Sequence, residues 1–174
     1  MESGLANSNF FQRISEGTGT EVFDVLGPTL EFLTWTDDFC VMRGVVPPGV
    51  TVPLHSHDDA EDFYIVSGTQ QVLIEDDQGT HWVDANAGDY LRISGSALHA
   101  HRNVSDKPAV DLIVTTTRMG RMFREIGRPF TGQPLPVTPE ALAHFMEVSA
   151  QYGIRLGTAQ ENAAVGIDLP VFSG

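Results

Sequence analysis

Short apolar-rich runs alternate with turn-forming clusters along most of the chain, and this rhythm predicts strands from about residue 29 to residue 117. The runs are LEFLTW at 30–35 and FCVMRGVV at 39–46, bounded by Asp37-Asp38 and by Pro47-Pro48-Gly49. A His- and Glu-bearing stretch at 49–68 follows, then QQVLIED at 70–76 before a DDQG turn. HWVDA at 81–85, DYLRI at 89–93, LHAHRNV at 98–104 and AVDLIVTTT at 109–117 complete the series. Many short strands separated by glycine and proline turns indicate a sandwich or barrel. No internal repeat or linker breaks the series, so one all-β barrel is expected.

The period changes after Thr117. RMGRMFREIG predicts a short amphipathic helix ending at Gly127, with Met122, Phe123 and Ile126 on one side. A proline-rich connector follows, and Thr138 with Pro139 opens a second helix as cap and first residue. Its expected apolar stripe is Leu142, Phe145, Met146 and Ser149. Residues after Gly157 carry little pattern. Residues 1–20 are polar and glycine-rich, with Phe10, Phe11 and Ile14 to bury. The expected organisation is an N-terminal arm over 1–28, a barrel over 29–118, and a helical extension over 119–174 that packs on the barrel.

Composition narrows the function classes. The 174 residues carry a net charge of −13, which disfavours a phosphate-binding surface and so a nucleic-acid partner. The single cysteine, Cys40, excludes an intramolecular disulfide and suits a reducing compartment. The start of the chain lacks a basic, then apolar leader, and no run approaches the ~18 apolar residues of a membrane helix. A cytoplasmic protein without a membrane partner is expected. Exposed barrel edges are usually paired or covered, and the apolar residues of the arm suit a partner subunit, so a homodimer is expected.

The chemistry concentrates in two stretches. His55 and His57 are two apart and leave the same face of a strand; Glu61 follows an acidic turn; His99 arrives on a later strand. If these strands line one barrel, three imidazoles and a carboxylate converge on one divalent ion and leave positions open for water or substrate. The spacing H-x-H-x3-E arises by chance in roughly one such chain per hundred. Alternation turns Phe63 and Ile65 inward with Glu61, and Asp62 and Tyr64 outward. On the same argument His101 shares the face of His99, and Gln70 shares that of Val72 and Ile74. Arg92 and Arg102 are expected to pair with surface acids, His81 and His144 to be structural, and Asp58-Asp59 to bracket the turn.

Gly49-x5-His55-x-His57-x3-Glu61-x6-Gly68 resembles the first motif of the cupin family in full. Gly88-x5-Ser94-x-Ser96-x2-His99-x3-Asn103 resembles the second, with serines where the family usually has proline and glycine. The RMGRMFREIG segment is similar to the tail of small single-domain cupins related to quercetin dioxygenases. The resemblance implies a jelly-roll β-barrel with short C-terminal helices, and His55, His57, Glu61 and His99 as ligands of one divalent metal ion per chain. It leaves the metal open among Fe, Mn, Ni, Co, Cu and Zn.

A divalent ion with one carboxylate ligand favours an anionic or enolisable small-molecule substrate. Glu61 and His101 are the candidate catalytic residues, Glu61 as a base and His101 as a proton carrier; Phe63, Gln70 and His101 are the candidate substrate contacts. The activity expected is that of a dioxygenase acting on an enolisable or aromatic hydroxylated compound. The alternative is O2-independent isomerisation, polyketide cyclisation, decarboxylation or elimination, and a third reading is a non-catalytic ligand-binding cupin.

Overall fold

A computed structural model of the chain describes residues 21–169. Ten strands lead the order: β1 (Val22–Asp24), β2 (Thr29–Trp35), β3 (Phe39–Val46), β4 (Thr51–Ser56) and β5 (Glu61–Ser67), then β6 (Thr69–Asp76), β7 (Gly79–Asn86), β8 (Tyr90–Ile93), β9 (His99–Arg102) and β10 (Ala109–Thr116). The helices α1 (Thr117–Ile126), α2 (Pro139–Gln151) and α3 (Ala159–Ala164) follow, separated by the two-residue strands β11 (Arg128–Pro129) and β12 (Arg155–Leu156).

The strands form two antiparallel sheets, β11-β1-β2-β3-β10-β5-β8 and β12-β4-β9-β6-β7. From β3 to β6 and from β7 to β10 consecutive strands switch between sheets, as in a jelly roll, whereas β1–β3 and β6–β7 pair within one sheet. Inward positions recur every second residue. On β3 Cys40, Met42 and Val46 are buried; on β5 Glu61, Phe63 and Ile65 are buried while Tyr64 is exposed. With Leu30, Val72, Ala85, Ile93 and Ile113 these apolar side chains form the core between the sheets. Cys40 lies inside this core, and burial pushes its thiol up to about 11, so it serves as an apolar filler. Gly68, at φ +74°, turns β5 into β6 where a Cβ would lie 2.4 Å from the Pro108 carbonyl oxygen. A side chain there is excluded on both counts.

The helices are capped as their sequences ask. Thr116 and Thr138 accept from backbone N–H groups of Met119 and Ala141, and Pro139 opens α2. Met119, Met122, Ile126, Val148 and Ile154 form a second apolar cluster between α1 and α2. The buried side of α2 differs from the expected stripe: Met146 is exposed, and Val148 is buried instead. The ridge toward α1 follows i, i+3 spacing through Phe145 and Val148, which rotates Met146 to the outside.

The extension also supplies strands. β11 pairs with β1, and β12 pairs with β4 through Leu156 opposite His55. Helix α3, which the sequence reading left without pattern, carries a reciprocal capping box between Thr158 and Glu161. Residues 1–20, most of the expected N-terminal arm, lie outside the described residues; residues 22–24 form β1, which also pairs with β2. No helix among the described residues is long and apolar enough to cross a membrane.

Candidate metal centre

His55 stands near the end of β4, His57 just beyond it, and His99 opens β9, the neighbour of β4 in the five-stranded sheet. The register pairs His55 directly with His99. Ring centroids lie 4.1 Å apart for His55 and His99, 5.1 Å for His57 and His99, and 5.7 Å for His55 and His57. One ring nitrogen from each residue falls within 4.8 Å of the other two.

Backbone carbonyls fix the tautomers. Nδ1 of His55 donates to the Pro53 oxygen, Nδ1 of His57 to that of Asp59 and Nδ1 of His99 to that of Ala97, each at 2.8 Å. With the proton on Nδ1, the lone pair of each Nε2 is free. His81 makes a similar local bond to Gly79 at 3.0 Å on the surface, so the bond alone does not mark a ligand; convergence does. Nε2 of His57 and of His99 are buried and have no partner. A buried acceptor left so costs on the order of 1–3 kcal/mol. Neutral imidazoles with free Nε2 atoms fit a divalent cation of the borderline-soft class.

The electrostatics agree for two of the three. Burial, then the neighbouring His99, holds His55 well below its ordinary value, and burial likewise lowers His99. Burial also opposes a charge on His57, but the adjacent Glu61 carboxylate outweighs it and raises that ring. Glu61 is buried, with Oε2 3.6 Å from Nε2 of His57 and Oε1 unpartnered. Glu61 is not in the mutually close set of three; it stands beside the cluster on the His57 side.

His101 is buried two residues along β9, its ring 5.7 Å from His99 and 4.9 Å from Phe63. Burial pushes it down to about 3, so it is neutral at physiological pH. Gln70 is buried as expected, but its amide Nε2 donates to Asp111 Oδ2 at 2.9 Å. Asp111 was not singled out in the sequence, although alternation with Ile113 and Thr115 turns it inward. Burial pushes its carboxyl up to about 6. Gly44 makes room for it, since a Cβ there would lie 2.2 Å from Asp111 Oδ1.

The second stretch departs from its expected residues in an instructive way. Ser96 takes φ +65°, the left-handed conformation that glycine adopts freely. Its N–H donates to the His57 carbonyl at 2.6 Å and its hydroxyl to Asp58 Oδ1 at 2.6 Å. The loop before His99 is thereby tied to the turn after His57. Asp59 does more than bracket that turn, because it is buried and paired with Arg118. Arg92 pairs with Asp62 at 2.8 Å; Arg102 bonds Gln71 and stacks on Trp82; His144 bonds the Glu125 carbonyl.

Residues 42–115 match the Cupin_2 family, the cupin domain. A 110-residue stretch, 60% of the chain, is 28% identical to quercetin 2,3-dioxygenase of Bacillus subtilis (strain 168). The match spans 30% of that relative's length. The polyketide cyclase RemF of Streptomyces resistomycificus superposes with a TM-score of 0.54 at 13% identity, covering 80% of this chain and 99% of that one. An RmlC-like cupin of Shewanella frigidimarina gives 0.50 at 18% identity, covering 62% and 92%. These two likenesses establish the fold.

Proposed function

The chain belongs to the cupin superfamily, and on that premise we propose that it is a metal-dependent dioxygenase acting on an enolisable or aromatic hydroxylated small molecule. The observation that carries this reading is the convergence of the His55, His57 and His99 nitrogens with their Nδ1 protons tied to the backbone. Those three residues would hold one divalent ion, with Glu61 beside His57 as a fourth donor. A bound ion supplies Lewis acidity toward a deprotonated substrate oxygen and, where redox-active, a path for electron density to O2.

The chain's own groups set the rest. Glu61 is the base nearest the cluster, its Oε1 free to take a proton from a substrate hydroxyl. Neutral His101 hydrogen-bonds rather than protonates, and with Phe63 it presents an apolar, aromatic wall to a planar substrate. Similarity to a quercetin dioxygenase over 110 residues supports a flavonol- or catechol-like substrate. A second reading has one observation in its favour: Glu61 stands outside the mutually close three-histidine set. A carboxylate free of the ion suits O2-independent proton abstraction, as in isomerisation, cyclisation or elimination.

Oxygen uptake with flavonol and catechol substrates, after reconstitution with each of Fe, Mn, Ni, Co, Cu and Zn, tests the proposal. O2 consumption matched to substrate loss is expected, and turnover that persists unchanged under strict anaerobiosis transfers the case to the second reading. A homodimer belongs to the same proposal. The outer face of the seven-stranded sheet exposes Tyr64, Val66, Tyr90 and Val114, and light scattering of the purified protein should return twice the chain mass.

A further inference from the structure

We infer that Arg118 and Asp59 are positioning residues for the candidate metal centre, through which the C-terminal extension sets the orientation of His57. The inference rests on the three-histidine reading above. His57 lies beyond the last residue of β4, so no ladder hydrogen bond of that strand fixes it. His55 and His99 each donate Nδ1–H to a carbonyl two residues before them, whereas His57 donates to the carbonyl of Asp59, two residues after it. The ring of His57 therefore follows wherever the turn at 58–60 is held.

Beside the Ser96 contacts to His57 and Asp58, that turn is held from the junction of β10 with the helices. Nη2 of Arg118 donates to Asp59 Oδ2 at 2.5 Å, and Nη1 donates to the Tyr152 carbonyl at the C-terminal end of α2, at 2.6 Å. Thr116, the cap of α1, donates its hydroxyl to Asp59 Oδ1, and Thr115 donates to the Ala60 carbonyl at 3.0 Å. The Asp59 side chain is only 7% exposed, and a carboxylate that buried is tolerated only where it is paired and hydrogen-bonded. Arg118 supplies that pairing while remaining 45% exposed, on the wall of a cleft of about 530 Å³ shared with Asp58, Ala60, Gln151 and Tyr152. One guanidinium thus links the end of α2 to the residue whose carbonyl orients a candidate ligand. Its exposure also means that it can be replaced without opening a cavity in the core.

The test uses Arg118→Gln, Asp59→Asn and Arg118→Lys in the full chain. Arg128→Gln serves as a control, breaking the more deeply buried pair with Asp24 between β11 and β1. In metal-free protein at alkaline pH, where the ring is neutral, imidazole 15N–1H correlation spectra should show His57 wholly as the Nδ1–H tautomer in wild type and in the control. Arg118→Gln and Asp59→Asn should admit the Nε2–H form. Titration with Co2+ should show roughly 10–100-fold weaker binding in those two variants, the range for partners that orient a ligand, an intermediate loss for Arg118→Lys, and none for Arg128→Gln. Wild-type tautomer and affinity in Arg118→Gln and Asp59→Asn overturn the inference, as does an equal loss in Arg128→Gln. Should wild-type protein bind no Co2+, the metal reading falls, and the tautomer spectra alone decide the role of the clamp.

Discussion

Two groups of buried polar side chains sit in this barrel, and they are satisfied in opposite ways. At the histidine cluster every Nδ1 is tied to a carbonyl, and buried Nε2 atoms face one another without partners. At Gln70 and Asp111 a hydrogen bond crosses from the five-stranded to the seven-stranded sheet, and Gly44 has given up its side chain to make room. The first group fits an ion supplied from outside. The second is joined internally by that one bond, leaves Gln70 Oε1 and Asp111 Oδ1 unpartnered, and holds a carboxyl whose charge burial opposes. Burial alone therefore does not mark a site; the direction in which unpaired atoms point does.

The comparison predicts that substitutions at the two groups separate cleanly. His99→Ala removes one of three convergent donors and should weaken Co2+ binding at least ~1,000-fold, beyond what orienting partners contribute. The metal-free protein should lose about 2–3 kcal/mol, because the variant also removes a buried ring and its Nδ1–H bond to the Ala97 carbonyl. Calorimetric titration and urea unfolding of the same preparation read both.

Asp111→Asn should act the other way, on stability against pH and not on metal. Its carboxyl rises from 3.8 to about 6 in the folded chain, so the proton is held more tightly there than in the unfolded chain. The contribution of this group is most favourable below the unfolded value and is lost as pH rises through about 6. The span corresponds to on the order of 3 kcal/mol. Urea unfolding at pH 4.5 and 7.5 should show the variant gaining on wild type by about 2 kcal/mol at the higher pH, the part of the span that lies above pH 4.5; parallel curves would remove the charge from the account.

Gly44→Ala forces a methyl against Asp111 Oδ1 and should cost ~1–3 kcal/mol in the urea midpoint with Co2+ binding unchanged. The smallest effect is expected at Ser96→Gly. Relief of the left-handed conformation, about 1 kcal/mol, is offset by loss of the bond to Asp58, also about 1 kcal/mol. A change above ~2 kcal/mol in either direction would show that one of the two effects outweighs the other.

These two groups also differ in how far the sequence exposes them. The grouping of the three histidines is legible because their spacing is local, two residues and then a second stretch with its own fixed offsets, whereas Glu61 falls beside that set. The strands are legible because turn residues bracket period-2 runs, and the inward set Glu61, Phe63 and Ile65 follows from that period. Asp111 and Gln70 are 41 residues apart on different sheets, so each reads as an ordinary inward position and only the fold makes them a pair. The same holds for Asp59 and Arg118. β11 and β12 have two residues each, too few to show a period. The capping box of α3 was present as Thr158-x-x-Glu161 but preceded a run with hardly any apolar stripe. On α2 the apolar residues outnumber those one face can bury, and packing against α1 chose Val148 over Met146.

The central claim is that His55, His57 and His99 form one metal centre through their Nε2 atoms. X-ray absorption of the protein loaded with one equivalent of Zn2+ tests it most directly. The account predicts three imidazole nitrogens at ~2.0–2.1 Å with Nε2-type ring scattering. A nearest shell of oxygen only, or of fewer than two imidazoles, would contradict it.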